Sequence, residues 1–336
     1  MRIRNHALDA IKGLMILLII LHHGGLLPFL RHGYLGVDVF FVIAGYFLMQ
    51  GFAARKETAV AYTRRRIRSV YLPYLLALLL SCVLDYKHLS SFSGGQGFLD
   101  TYAPMAAFLT LTEEFGFVFH TPVILVGGWF LSVLLIGGFL LYGLLEYNER
   151  LATKVILPFA MVLGFTWLFS LSANIENFRT VGAVGLPLLR GFLEMGLGVL
   201  CWSVFSELKT GSKLSTALFF AAMALFVAML LSERSLDGFL IFVIPLMLSG
   251  VQGQESWLRK TYDRLPTKWL AALGALSLEL YLIHQPVLHI VHSGFKFLNL
   301  PWHPALIVPA DLVASILAAV LLRGLCRRLR TSKSRV

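Results

Sequence analysis

Long apolar runs, separated by short polar segments, recur along the whole chain. Ten of these runs approach the roughly 20 residues that an α-helix needs to cross a bilayer. They are 7–28, 34–52, 69–85, 123–145, 153–171, 181–203, 214–231, 236–250, 270–291 and 304–325. The pattern predicts an all-α integral membrane protein with about ten transmembrane helices, forming a single domain over residues 1–336.

Composition supports insertion into a lipid bilayer. The 336 residues are 57% hydrophobic and 14% charged, with a mean hydropathy of +0.76. Soluble domains carry about 25% charged residues, so this chain has too little polar surface for a soluble globule. These values exclude most cytosolic enzymes, disordered proteins and nucleic-acid-binding domains.

The net charge of +11 is explained by topology better than by an anionic partner. With the N-terminus placed in the cytoplasm, 22 of the 29 Lys and Arg residues fall in inner segments, five fall in outer segments, and Lys12 and Arg190 fall inside spans. Cytoplasmic loops collect Lys and Arg. The distribution predicts that both termini are cytoplasmic and gives no reason to expect nucleic acid as a partner.

The first span carries a basic residue and a histidine on one helical face. Lys12 and His23 are eleven residues apart, which leaves an offset of about 20° and a rise of about 16 Å along an α-helix. Asp9 falls on the same face, whereas His22 points elsewhere and is expected to have a structural role. Histidine is the usual general base near neutral pH. The alternative is a lysine that snorkels to the inner interface and a histidine that bonds a neighbouring helix.

Other ionisable residues also fall inside predicted spans, where they are costly. Asp38 lies near the outer end of the second span, where it could orient His23, as an Asp supports His in hydrolytic triads. Its alternative role is a charge favoured by the helix dipole. Arg190 and Glu194 are four residues apart, which predicts a structural ion pair.

Four arginines precede the third span: Arg64, Arg65, Arg66 and Arg68. They suit an orientation signal at the lipid headgroups. They also suit a phosphate clamp, because arginine binds phosphate through two parallel hydrogen bonds. The spacing alone does not separate these two interpretations.

Two later segments are candidates for a polar pocket. Trp129 and Ser132 open the fourth span, where they suit an aromatic belt and a hydrogen bond within the bundle. Ser277, Tyr281 and His284 share one face of the ninth span, which indicates a pocket for a hydroxylated ligand. The histidines have no zinc-like spacing, so no metal is expected.

Taken in order, these segments resemble the membrane acyltransferase-3 family. Its leading motif, Leu-Asp followed by Arg, ten residues and His, corresponds to Leu8, Asp9, Lys12 and His23. Its Gly-Val-Asp-x-Phe-Phe segment corresponds to Gly36–Phe41, and its Arg-x-x-Arg to Arg65 and Arg68. Its Trp-x-Leu-Ser corresponds to Trp129–Ser132, and its late Ser-x3-Tyr-Leu-x-His to Ser277, Tyr281, Leu282 and His284. Each motif is weak alone, but the five occur in the family order across most of the chain.

The resemblance implies a multi-pass O-acyltransferase of the bacterial inner (cytoplasmic) membrane. It would move an acetyl group from cytoplasmic acetyl-CoA to a hydroxyl of a cell-surface or lipid-linked sugar. Arg65 and Arg68, with Lys12, would bind the donor phosphates; His23 would deprotonate the hydroxyl, and Asp38 would hold its imidazole tautomer. The carbohydrate acceptor would contact Trp129, Ser132, Ser277, Tyr281, His284 and Glu279.

Two positions depart from the family pattern. Lys12 replaces the family arginine, which keeps the charge but loses the planar fork. Leu134 occupies the position where many relatives carry Glu. Glu279 could supply the missing carboxylate instead. The departures leave the acceptor open, and succinyl remains an alternative to acetyl. The rival function is a multi-span transporter or exporter of a glycan-related or small anionic substrate.

Overall fold

The computed structural model describes residues 5–84, 105–112, 125, 127–176, 178–181, 184–207, 213–252 and 268–333. Their regular structure is helical except for one antiparallel ribbon, Thr180–Val181 with Val184–Gly185. The helices are α1 (His6–His23), α2 (Leu35–Arg55), α3 (Ala59–Leu84), α4 (Gly128–Leu151), α5 (Leu157–Leu171), α6 (Leu186–Glu207), α7 (Lys213–Leu231), α8 (Leu240–Gln252), α9 (Lys268–Ala275), α10 (Ser277–Phe297) and α11 (Pro304–Lys333). Residues 105–110 are also helical. The all-helical prediction is confirmed for these residues.

Seven helices in the described part of the chain are long and apolar enough to cross a membrane. An eighth is obtained if α9 and α10, which meet at a bend of 76°, count as one broken span. The short run predicted at 236–250 forms an apolar helix, Asp237–Val251, that is below spanning length. The count of ten therefore stays a prediction.

The runs predicted at 123–145 and 153–171 join into one helical stretch, Gly128–Leu171. Its 44 residues would measure about 66 Å if straight, roughly twice the hydrocarbon thickness of a bilayer. The backbone of Asn148 is extended (φ −160°, ψ 100°), and a π-helical segment follows at Ala152–Ile156. The stretch is therefore broken between the two predicted runs, although no loop separates them.

Three helix limits differ from the apolar runs. The first run was predicted to continue to residue 28, but α1 ends at His23, and Gly25 then adopts a positive φ of 66°. The third helix begins at Ala59, ten residues before the apolar run, so it includes the arginine cluster. The last helix continues past residue 325 to Lys333. Apolar runs measure the lipid-facing length of a helix, and charged turns extend it beyond the bilayer.

Glycines allow two pairs of helices to cross at backbone distance. A Cβ atom on Gly45 of α2 would overlap the backbone of Met195 in α6, and one on Gly198 would overlap the carbonyl of Val42. Gly13 of α1 and Gly274 of α9 approach each other's helices in the same way. Small residues permit such close packing between membrane helices. These crossings hold α2 against α6 and α1 against α9.

Replacing Gly45 by leucine should therefore destabilise the protein. The side chain has no space at the α2–α6 crossing, and overpacking of a core costs about 1–3 kcal/mol. Thermal unfolding of the detergent-solubilised protein should show a lower Tm than the wild type. The control is Gly294→Ala in α10, where an added Cβ meets open space and should leave the Tm unchanged or slightly higher. Equal Tm values for both variants would contradict the proposed crossing.

Candidate active site

Two histidines from distant parts of the chain lie side by side. His23 is the last residue of α1, and His284 lies in the first half of α10. Their ring centroids are 5.2 Å apart, with His284 buried and His23 partly exposed. The sequence predicts separate roles for them, with His23 as the base and His284 as a contact to the acceptor. The fold brings them to one place.

The hydrogen bonds of His284 define which ring nitrogen carries its proton. Nδ1 lies 2.8 Å from the carbonyl oxygen of Tyr281 and 3.2 Å from that of Leu280. Carbonyl oxygens only accept hydrogen bonds, so Nδ1 must donate. In the neutral ring Nε2 is then an acceptor, and it is buried without a hydrogen-bond partner among the described residues. His284 can therefore receive a hydrogen bond from a ligand hydroxyl.

His22 is directed toward the loop between α1 and α2. Its Nδ1 lies 3.2 Å from the carbonyl oxygen of Leu30, and its ring meets that of Tyr34 with centroids 5.6 Å apart. These contacts join the end of α1 to the loop that leads into α2. They support the structural role expected for His22.

An aromatic wall extends from the histidines toward α4. The ring of Tyr281 meets that of Phe130 at a tilt of 54°, with centroids 4.9 Å apart, and Phe130 contacts Phe41 at 4.5 Å. Trp129 follows at 5.8 Å from Phe41. Ser132, one turn after Trp129, is fully buried, and no described residue bonds its hydroxyl. These ring contacts therefore connect three of the predicted acceptor contacts: Trp129, Tyr281 and His284.

A buried cluster of charged side chains lies next to these aromatic rings. Arg190 of α6 donates from Nη2 and Nε to one carboxylate oxygen of Asp38 in α2, at 2.6 and 2.9 Å. Nε also lies 3.3 Å from Glu194, and the guanidinium lies over the ring of Trp129, 5.8 Å from its centroid. The predicted Arg190–Glu194 pair is confirmed, with Asp38 as a third member that the sequence did not indicate.

The hydrogen-bond partner of Asp38 differs from the one expected from the sequence. The carboxylate was predicted to orient His23, but its described hydrogen bonds go to Arg190. The physical reason is charge, because a buried carboxylate bonds a permanent cation in preference to a neutral imidazole. Asp38 is therefore part of the Arg190 cluster, and its other carboxylate oxygen, Oδ2, is buried without a hydrogen-bond partner among the described residues.

The other end of α1 borders a polar cavity of about 550 Å³. Lys12 lines it and is paired with Asp9 at 2.6 Å. Glu279 lines the same cavity and is bonded to Arg323 of α11 at 2.6 Å. Glu279 therefore lies with Lys12 and not with the two histidines. Ser277 begins α10, two residues before Glu279 and about two turns from His284.

The two arginines proposed as a phosphate clamp are exposed on the first turns of α3. Arg65 is paired with Glu57, with Nε 3.4 Å from Oε2. The hydrogen bond from Arg65 lowers the pKa of the Glu57 carboxyl. The backbone carbonyl of Arg68 accepts a hydrogen bond of 3.2 Å from Arg330. Ser69, the next residue, lines the cavity beside Lys12, so the clamp segment borders it.

The structure also shows a buried polar network around Tyr34 that the sequence did not indicate. The Tyr34 hydroxyl donates to Asp237 at 2.9 Å and lies 2.9 Å from Nδ1 of His32. The backbone N–H of Ile175 donates to the same carboxylate oxygen at 2.8 Å. Burial, together with Asp237, raises the pKa of Tyr34. Tyr34 and Asp237 open the second and eighth predicted runs, 203 residues apart, and their contact depends on how the helices pack, which the sequence pattern does not show.

The short segment between α5 and the antiparallel ribbon also reaches the site. The ring of Phe178 meets Trp129 edge to face, with centroids 5.4 Å apart, although 53% of Phe178 is exposed. Glu176, two residues earlier, is half-buried, and this burial raises the pKa of its carboxyl. An exposed aromatic ring beside the site is a surface on which a ligand can stack. The sequence showed only an ordinary loop phenylalanine.

Comparison with known proteins gives one match. A family model described as an acyltransferase domain, of the acyltransferase-3 family, matches residues 5–324, which is nearly the whole chain. Neither curated proteins nor solved structures give a match.

Proposed function

Because the chain belongs to the acyltransferase-3 family, we propose that it moves an acetyl group from acetyl-CoA to a hydroxyl of a cell-surface or lipid-linked sugar. Membership indicates a membrane acyltransferase, and the long apolar helices agree with insertion. One observation supports the proposal most: α1 carries Lys12 at an inner cavity and, on the same face, His23 beside His284. A donor held at one end could react at the other.

The proposed topology places this path across the bacterial inner membrane. With about ten spans and both termini cytoplasmic, Lys12 faces the cytoplasm and His23 the outer side. The charge distribution along the loops supports this orientation. The break at Asn148 supports two spans within Gly128–Leu171. Acetyl-CoA, a cytoplasmic metabolite, would then enter at the Lys12 end.

We propose that Lys12, Arg65 and Arg68 attract the phosphates of the donor. Lys12 lines the inner cavity, and the α3 segment that carries the two arginines borders it at Ser69. The thioester arm would extend along α1 toward His23. Arg65 would exchange its exposed pair with Glu57 for a phosphate, which costs little because exposed ion pairs contribute at most about 1 kcal/mol.

In the proposed reaction His23 is the general base. A ring nitrogen of His23 takes the proton from the sugar hydroxyl as the oxygen attacks the thioester carbonyl. The tetrahedral intermediate then expels the CoA thiolate, which takes the proton from the His23 imidazolium. The products are an acetyl ester and CoA thiol, and the histidine returns to its neutral state. No other group is consumed.

The acceptor would bind from the outer side. Nε2 of His284 would accept a hydrogen bond from a neighbouring sugar hydroxyl, and Trp129 and Tyr281 would pack against the ring. Ser132 offers an unpaired hydroxyl in the same region. We keep Ser277 and Glu279 as proposed contacts, although both lie nearer the inner end of α10. Asp38 would act by holding Arg190 beneath Trp129.

Proteoliposomes supplied with acetyl-labelled acetyl-CoA and a glycan acceptor would test the proposal against a transporter. Acyl transfer predicts label in an alkali-labile ester on the glycan. A transporter predicts intact labelled substrate or glycan trapped in the lumen without ester formation, and this result would contradict the proposed function.

A further inference from the structure

The inner cavity is lined by the last helix as well as by α1. Arg323, Arg327 and Arg330 of α11 line it together with Lys12. A second cavity of about 880 Å³ shares Arg323 and Arg327 and includes Lys268 of α9. Small-molecule sites have volumes of about 300–1,000 Å³, so each cavity is large enough for part of a nucleotide.

The charges around these cavities do not balance. Two carboxylates line the inner cavity, and each is already paired: Asp9 with Lys12, and Glu279 with Arg323. Among the described residues Arg327 and Arg330 have no carboxylate partner within ion-pair distance. Within the described part of the chain, the rim therefore carries two arginines that form no ion pair.

Arg330 is held in position by its neighbours. Its Nη2 donates to the backbone carbonyl oxygens of Ser69 and Arg68, at 2.9 and 3.2 Å. A guanidinium has five N–H donors, so others remain for a ligand. Arg327 lies one turn before it on α11, toward the cavity shared with Lys268. The two side chains thus present an arginine pair to the cavity, as phosphate sites commonly do.

We propose that Arg327 and Arg330, with Lys12, form an anion site for phosphate groups at the inner end of α1. The inference rests on the proposed function, because it places the nucleotide phosphates of the acyl donor on the last helix as well as on α3. Arg65, by contrast, is engaged by Glu57. The same chemistry would also accept the phosphate headgroup of an anionic lipid from the inner leaflet.

Direct binding measurements on the purified full chain test the site without requiring turnover. The variants are Arg327→Gln and Arg330→Gln, singly and together. The control is Arg328→Gln, which removes an exposed charge from the same helix turn but does not line either cavity. The probes are CoA and adenosine 3′,5′-bisphosphate, measured in nanodiscs of zwitterionic lipid and again with added phosphatidylglycerol. Monodisperse elution and an unchanged Tm check folding.

The double variant should bind CoA at least about tenfold more weakly than the wild type, because it loses charge-assisted hydrogen bonds from two guanidinium groups to phosphate. The bisphosphate should be affected similarly, whereas Arg328→Gln should match the wild type. Competition by phosphatidylglycerol that disappears in the double variant would assign the same site to a lipid headgroup. Unchanged affinity for both CoA and lipid would overturn the inference while leaving the proposed function intact. Absence of CoA binding to the wild type would instead contradict the proposed function.

Discussion

Replacing His23 by alanine is expected to lower the rate of acyl transfer by about 10²–10⁴-fold, the usual contribution of a general base. His23 ends the α1 face that begins at Lys12, and it lies against His284 at the meeting point of α1 and α10. Its side chain is partly exposed, so its removal should not unfold the protein. The measurement is the initial rate of ester formation by purified variants at equal concentration.

The neighbouring histidine supplies a matched control. His22→Ala removes an imidazole of the same helix turn, but in the wild type its Nδ1 contacts the carbonyl of Leu30 in the loop between α1 and α2. This variant should keep most of the transfer activity, and CoA binding should be unchanged in both variants. If His23→Ala transfers acetyl at the wild-type rate, His23 is not the general base. If His22→Ala loses more activity than His23→Ala, His22 is the better candidate for the base.

Replacing Arg190 by methionine is expected to destabilise the protein by about 3–5 kcal/mol, because it leaves uncompensated buried charge. Arg190 holds Asp38 at 2.6 Å and Glu194 at 3.3 Å, and all three side chains are buried. Without the guanidinium, two carboxylates would face each other in an apolar interior. Thermal unfolding and the yield of monodisperse protein should both fall.

A triple variant separates lost charge balance from lost packing. Arg190→Met combined with Asp38→Asn and Glu194→Gln removes every formal charge and keeps similar side-chain volumes. It should recover much of the lost stability, since neutral replacements of a buried ionic cluster are often tolerated. A triple variant as unstable as Arg190→Met alone would show that shape, not charge, makes Arg190 necessary.

Relations within one helix could be predicted from the sequence. The periodicity of an α-helix was enough to place Lys12 and His23 on one face, and to pair Arg190 with Glu194. Both follow from local geometry, which the chain specifies by itself. The same applies to Tyr281 and His284, which are three residues apart on α10 and have ring centroids separated by 5.9 Å.

Contacts between helices could not be predicted in this way. Asp38 was expected near His23 because a short loop joins their helices, but it faces α6 and bonds Arg190. Helix rotation decides this, and α2 turns Gly45 and Asp38 toward α6, where Gly198 permits close approach. A single sequence does not show how each helix is rotated.

Helix limits were the other part that apolar runs described poorly. The charged turns of α3 and α11 lie beyond their apolar runs. Those of α11 carry Arg327 and Arg330, which line the cavity beside Lys12. Sequence analysis counted Arg327 and Arg330 only as part of the charge bias of the tail. Their position at the cavity depends on packing, because α11 must lie beside α1 and α3 for these side chains to share a cavity with Lys12.

Acyl transfer from acetyl-CoA to a sugar hydroxyl is tested most directly by comparing the amounts of its two products. Purified protein in sealed vesicles would receive acetyl-CoA at the face that exposes Lys12, with the glycan acceptor at the opposite face. Released CoA thiol and acetyl ester on the glycan should form in equal amounts, and both should be lost in His23→Ala. Glycan movement without release of CoA thiol, or thiol release without ester, would contradict the account.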